Sequence, residues 1–156
     1  MSGTSARITW QWSPFHELRP EHLYEIVRLR EEVFVVEQNC AYLDADGRDP
    51  AAWHLLGWLE ENGAPKLVAY ARIFEPGIRY PEGSVGRVVT ASEVRRSGVG
   101  RMLMAEALRR LDGLAPNRPV RIAAQRYLEQ FYASFGFRPA SAPYDEDGII
   151  HVDMLR

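Results

Sequence analysis

Val88-Val89-Thr90-Ala91-Ser92-Glu93-Val94-Arg95-Arg96-Ser97-Gly98-Val99-Gly100 reads as the end of a strand, a turn and the start of a helix, with glycines where the helix begins. Such a turn aims unpaired backbone N–H groups and the positive end of a helix dipole at one point, an arrangement suited to a phosphate or pyrophosphate. The glycines allow a ligand to come close to the backbone. No Gly-Lys-Ser/Thr follows, so this is not a Walker loop, and the G-x-G-x-x-G dinucleotide fingerprint is absent. Taken alone, the same residues equally describe a tight strand-to-helix turn whose glycines serve packing.

Upstream, residues 8–12 alternate like a short strand that Ser13-Pro14 ends. From Pro20 to about position 36, Leu23, Ile26, Val27, Leu29, Val33 and Phe34 recur at three- and four-residue steps, predicting a helix with one buried face and Pro20 in its first turn. Residues 38–53 are dense in turn formers and predict a loop that shapes a site. Residues 54–59 and 67–74 predict a hairpin with a longer loop, and residues 84–90 a third strand. Residues 98–111 predict a helix stopped by Asp112-Gly113. Residues 120–124, 128–135 and 149–155 predict strand, helix and strand. The order is that of a mixed α/β layout.

The 156 residues, 46% hydrophobic and 26% charged, suit one domain with a full core, here residues 1–156 with residues 1–7 as a loose tail. No apolar run approaches the roughly 20 residues of a bilayer span and the start lacks a signal-peptide core, so a cytoplasmic protein without membrane partners is expected. The formal net charge of −2 offers no basic field for nucleic acid. A single cysteine, Cys40, excludes an internal disulfide and a cysteine-based zinc site, and no metal is expected. Lys66 is the one lysine among 19 basic residues, which genome composition explains as well as function does.

Arg95-x-x-Gly98-x-Gly100 after a Val-Val strand resembles the acyl-CoA pyrophosphate loop of the GNAT family of N-acetyltransferases, and Leu128-Glu-Gln-Phe131-Tyr132-Ala-Ser-Phe135-Gly136-Phe137 resembles that family's second segment. Phe34-Val-Val-Glu37-Gln38-Asn39-Cys40, Gly86-Arg87-Val88, Ala124-Gln125 and Asp145-Glu-Asp-Gly148-Ile149-Ile-His151 are similar to its ElaA-like branch. The resemblance runs from about Leu23 to Leu155. It implies a twisted mixed β-sheet flanked by helices, of α/β (α+β) class, with acetyl-CoA as acyl donor between two splayed parallel strands.

Carried onto this chain, the resemblance implies that the amides of Arg96, Ser97, Gly98, Val99, Gly100 and Arg101 hold the pyrophosphate, with Arg95 or Arg96 adding a charged contact. It also implies that Val88 and Val89 pair with pantetheine like an added strand, one N–H polarising the thioester carbonyl. Tyr132 matches the tyrosine that protonates the leaving sulfur in many relatives; a half-buried tyrosine with a local partner is the alternative. Many relatives carry a basic glutamate on the strand where this chain has Gly86-Arg87-Val88. The general base is therefore open among Glu37, His54, Glu75, His151 and a water chain, each also readable as a solvated or structural side chain.

Arg87 could bind a substrate carboxylate or form an ion pair, Gln125 could touch pantetheine or cap a strand end, and Gln38 could face the acceptor or cap a helix. The acidic run 145–147 could attract an amine or simply stay in water. The resulting expectation is transfer of an acetyl group to a primary amine of a small molecule, peptide or protein, directly within a ternary complex. A non-catalytic acyl-CoA sensor is the alternative. The acceptor pocket is expected from residues 38–53, 75–83 and 139–148. Trp10, Trp12, Trp53 and Trp58 belong either to the core or to a homodimer face.

Overall fold

The computed structural model describes residues 7–156; the first six residues of the expected N-terminal tail lie outside the described residues. The elements are β1 (Ile8–Pro14), α1 (Pro20–Arg30), β2 (Trp53–Glu61), β3 (Ala64–Phe74), β4 (Gly83–Thr90), α2 (Val99–Leu114), β5 (Val120–Gln125), α3 (Glu129–Ala133), β6 (Arg138–Pro139), β7 (Tyr144–Glu146) and β8 (Ile149–Leu155). They build one eight-stranded sheet in the order β1-β2-β3-β4-β5-β8-β6, with β7 paired to β8. Every pairing is antiparallel except β4 with β5. This is the expected mixed sheet flanked by helices.

β3 is an interior strand, and Leu67 to Phe74 are buried on both of its faces. A strand covered on both sides reads as a continuous apolar run, which Leu67-Val-Ala-Tyr-Ala supplies. Register places Gln11, Leu56 and Tyr70 on one face, where Gln11 meets His22 of α1 and Arg30 lies over the Tyr70 ring. Trp12, Leu55 and Ala71 share the other face, where Arg110 of α2 lies over Trp12. α2 buries Val99, Leu103, Met104, Ala107, Leu108 and Leu111 at three- and four-residue spacing. Each large aliphatic among them is worth roughly 1.5–3 kcal/mol against exposure. Trp10, Trp12, Trp53 and Trp58 all pack against the core, with Trp12 and Trp53 stacked at 5.0 Å.

Several boundaries differ from the sequence reading. The first helix is regular only to Arg30; Glu31–Glu37 continues it with wider i→i+5 bonds, Gln38 N–H reaching the Val33 carbonyl and Cys40 N–H that of Val35. The hairpin of β2 and β3 turns in two residues, Asn62 (φ 52°) and Gly63 (φ 79°), because Asn-Gly tolerates positive φ at both positions of a tight turn. α2 runs through Gly113 to Leu114, since Leu111 is anchored in the core and draws the last turn with it. Residues 139–148, expected as loop, contain β7 and turn back through Asp147 (φ 54°) and Gly148 (φ 85°) into β8.

His54, a candidate base, is fully buried in β2. Its Nε2 lies 3.0 Å from the Asp49 carbonyl oxygen, which only accepts, so Nε2 carries the proton and Nδ1 accepts from the Tyr70 hydroxyl at 2.7 Å. Both nitrogens are thus committed, and His54 has no face on the groove described below. Burial holds its folded pKa below that of a free histidine side chain, about 6.5. A base depressed in the folded state binds its proton more readily when unfolded, so the associated stability is present above about pH 6.5 and lost as pH falls below it. Urea midpoints are expected to drop between pH 7.5 and 5.5, with a shallower drop in His54→Gln. An identical slope would remove His54 as the source.

Candidate active site

The parallel pair β4 and β5 is hydrogen-bonded only where Gly83 meets Val120 and Ser84 meets Arg121. Beyond these two positions the strands diverge. The opening between residues 85–90 and 122–125 is part of a groove of about 940 Å³ lined from both strands, from the end of the first helical run and from α3. Two parallel strands that separate leave facing backbone groups without partners, an edge that an extended ligand can pair with.

β4 is also bulged. Gly86 pairs with Arg72 and Val89 with Tyr70, so Ala71 alone stands opposite both Arg87 and Val88. Arg87 occupies the left-handed region at φ 49°, uncommon for a residue with a long side chain. Its guanidinium explains the tolerance: Nη2 donates to the Asp44 carbonyl at 3.1 Å and to Asp46 at 3.4 Å, Nε stands 2.9 Å from Asp44 Oδ1, and the group lies over the Tyr42 ring. Of the two readings of Arg87, the ion pair is the one formed.

Behind it lies a lattice that the sequence did not reveal. Buried Arg30 donates to Asp44 and Asp49 at 2.8 Å each, and buried Arg72 donates to Asp46 at 2.8 and 2.9 Å and to Asp49 at 2.9 Å. Burial alone would push the Asp46 and Asp49 carboxyls up, but their arginine partners hold both below the ordinary carboxylate range. Three arginines and three aspartates thus pin the loop of residues 38–53 to α1, β3 and β4. Turn-forming aspartates were legible in Asp44-Ala-Asp46-Gly47-Arg48-Asp49; their partners, 14 to 43 residues away, were not.

At the C-terminal end of β4 the quoted turn takes the form required of an anion site. Arg96 (φ 64°) and Gly98 (φ 89°) are left-handed, and α2 begins at Val99. The amides of Arg96, Gly98, Val99, Gly100 and Arg101 find no backbone acceptor among the described residues, whereas Ser97 N–H returns to the Val94 carbonyl. Arg95, Arg96 and Gly100 line the groove. A Cβ placed on Gly100 would meet no protein atom within 4 Å. Gly100→Val is therefore expected to leave the melting temperature unchanged within about 2 °C and, if this turn holds the pyrophosphate that the resemblance implies, to weaken acyl-CoA binding at least about tenfold, because the added methyls enter open space. Unchanged affinity in a calorimetric titration would place the pyrophosphate elsewhere.

Arg95 forms a two-pronged ion pair with Glu37, and this guanidinium holds the Glu37 carboxyl below its usual range. Paired in this way, Glu37 is a poor proton acceptor at neutral pH. Glu75 accepts from Trp53 Nε1 at 3.2 Å, and it does not line the groove. Gln38 and Gln125 exchange amide hydrogen bonds at 3.3 and 3.4 Å, joining the end of the first helical run to the end of β5. Cys40 Sγ lies 3.0 Å from the Asp147 carbonyl oxygen, so the loop of residues 38–53 also touches the β7–β8 turn.

His151 lines the groove from β8, opposite Gln125 in register. Its Nδ1 is 2.8 Å from the Ile149 carbonyl oxygen and must donate to it, which leaves Nε2 with a free lone pair in the neutral ring. Glu146 Oε2 stands 3.5 Å from that nitrogen. Tyr132, on α3, packs edge-on against Phe131 and Phe137 and lines the same groove. Burial pushes its hydroxyl up to about 12, and that hydroxyl has no hydrogen-bond partner among the described residues. A protonated phenol without a protein partner and an imidazole with a free lone pair therefore share one groove.

Residues 58–156 match the family described as Acetyltransferase (GNAT) domain. The chain is 45% identical to a UPF0039 protein of Synechocystis, over 95% of this chain and 94% of that protein. The crystal structure of Escherichia coli ElaA superposes with a TM-score of 0.87 at 41% identity, covering 96% of this chain and 99% of that one. A Pseudomonas aeruginosa structure described as an acyl-CoA N-acyltransferase superposes with a TM-score of 0.87 at 37% identity, covering 95% and 99%.

Proposed function

Since the chain belongs to the GNAT acetyltransferase family, and is a close relative of ElaA and the UPF0039 proteins over nearly its whole length, we propose that it transfers an acetyl group from acetyl-CoA to a primary amine by direct attack in a ternary complex. One observation carries this reading. The splay of β4 from β5 and the unpaired amides of the turn at 96–101 open onto a single groove. The first suits an extended amide-bearing chain and the second a pyrophosphate, and both lie at the C-terminal end of β4.

In this reading the free amides at residues 96, 98, 99, 100 and 101 hold the pyrophosphate, and Arg96 adds charge, being free of any carboxylate among the described residues. Backbone groups of Val88, within the bulge, and Val89, just after it, pair with pantetheine, and one N–H polarises the thioester carbonyl. His151 Nε2 takes a proton from the acceptor's ammonium, freeing the lone pair with which the neutral amine attacks the thioester carbonyl, and its ring is held in the right tautomer by the Ile149 carbonyl. Tyr132 gives its proton to the departing sulfur. Its high pKa keeps it protonated until the thiolate forms, and its lack of a protein partner leaves the hydroxyl available.

Calorimetric titration with acetyl-CoA, followed by thiol release across a panel of amines, tests the proposal. Binding with amine-dependent release supports it; binding with no release favours an acyl-CoA sensor; no binding overturns it. His151→Gln is expected to lower kcat about 100-fold with acetyl-CoA affinity retained, since positioned acid–base groups contribute about that much or more. Full activity in that variant would return the proton to a water chain.

A further inference from the structure

The end of the groove away from the pyrophosphate turn is richer in arginine than its carboxylates can neutralise. Arg72 and Arg87 line it, but both are committed, with Arg30, to Asp44, Asp46 and Asp49. Arg48 and Arg79 line it as well and stand outside that balance. Arg48 is engaged through its backbone, its N–H with Asp46 and its carbonyl with the Ala51 N–H, and the Arg79 guanidinium lies 5.3 Å from the centre of the Tyr80 ring; neither guanidinium has a carboxylate partner among the described residues. Topology brings the two together. Trp53 pairs with Ile73 and Phe74 with Ser84, so the loop before β2 and the connection between β3 and β4 leave the same end of the sheet.

The groove's lining carries the other sign at the β7–β8 turn, with Glu146 Oε2 3.5 Å from His151 Nε2 and Asp147 next to it in sequence. A plain cationic amine would meet Glu146 favourably and the free arginines unfavourably, and a purely anionic compound would do the reverse. A molecule with both charges satisfies both ends. We propose that the acceptor is a small zwitterion, its amine lying toward His151 and Glu146 and its carboxylate or phosphate held by Arg48 and Arg79. Guanidinium forks match the paired oxygens of either anion, and the Tyr80 ring lies against the Arg79 guanidinium. The aromatic and aliphatic side chains of Leu43, Phe74 and Tyr80 in the same groove suit a short hydrocarbon spacer between the two charges. This inference rests on the acyltransferase reading above.

Matched acceptor pairs test it: amino acids against the amines left when the carboxylate is removed, and O-phosphoethanolamine against ethanolamine. Each is assayed by thiol release with the parent and with Arg48→Gln/Arg79→Gln, and acetyl-CoA affinity is measured by calorimetry on both proteins. The anionic member of at least one arm is expected to show kcat/KM about tenfold or more above its partner, mostly through KM, and the double variant is expected to erase that preference with acetyl-CoA affinity unchanged. The arm that responds distinguishes carboxylate from phosphate. Equal or better turnover of the non-anionic partners in both arms overturns the proposal, as does a preference that survives the double variant. Weakened acetyl-CoA binding in the variant would assign these arginines to the cofactor and also overturns it. A protein that binds acetyl-CoA yet acetylates none of the pairs overturns the zwitterion alone, whereas one that fails to bind acetyl-CoA overturns the acyltransferase reading and the proposal with it.

Discussion

Tyr132→Phe is expected to lower kcat about 100-fold, with the acetyl-CoA dissociation constant changed by no more than about twofold, because the variant loses a proton donor used only as the thiolate departs. The ring's contacts with Phe131 and Phe137 are kept, so folding and groove shape are preserved. The hydroxyl bonds to no other described residue, and its removal leaves no protein group unsatisfied. Steady-state thiol release combined with calorimetry separates the two quantities. Equal kcat in variant and parent would remove Tyr132 as the acid and leave protonation of the sulfur to solvent.

The second large effect is on stability. Asp44→Ala is expected to cost about 3–5 kcal/mol, the range seen when one member of a buried ion pair is removed, and roughly 10 °C in melting temperature for a chain of this size. Asp44 is 8% exposed; it accepts from Arg30 Nε at 2.8 Å and from the Tyr42 hydroxyl at 2.7 Å, and stands 2.9 Å from Arg87 Nε. Without it Arg30, 1% exposed, keeps only Asp49 as a carboxylate partner, and Arg87 loses the contact nearest the bulge. Thermal denaturation measures the loss. A shift under about 3 °C would mean that water replaces the carboxylate, and the lattice would then be a surface feature rather than a buried one.

Much of the site was legible because it is made of consecutive residues. The turn from Arg95 to Gly100 requires left-handed backbone at Gly98 and open space at Gly100, demands that glycine meets locally, so the motif predicted the observed strand, turn and helix. Tyr132 was legible through its neighbours Phe131, Phe135 and Phe137, whose aromatic contacts set the short helix in place. The candidate bases were different. Glu37, His54, Glu75 and His151 are alike in sequence as exposed or structural groups, and only their surroundings separate them. Arg95 lowers Glu37, Tyr70 and Asp49 occupy His54, Trp53 holds Glu75 outside the groove, and the Ile149 carbonyl leaves His151 Nε2 free within it.

By itself the sequence determined the alternation of strands and helices and the position of the glycine turn, because hydrophobic period and glycine placement are properties of neighbouring residues, and the resemblance of its separated motifs pointed to the family. Tertiary structure alone decided where β4 leaves β5, which residue the bulge places at positive φ, and which carboxylates neutralise Arg30, Arg72 and Arg87. Those outcomes depend on charges and strand edges far apart in the chain that meet only when the sheet is assembled. Local pattern carries no record of such pairings, since a buried guanidinium selects its partner by distance and desolvation rather than by spacing along the chain.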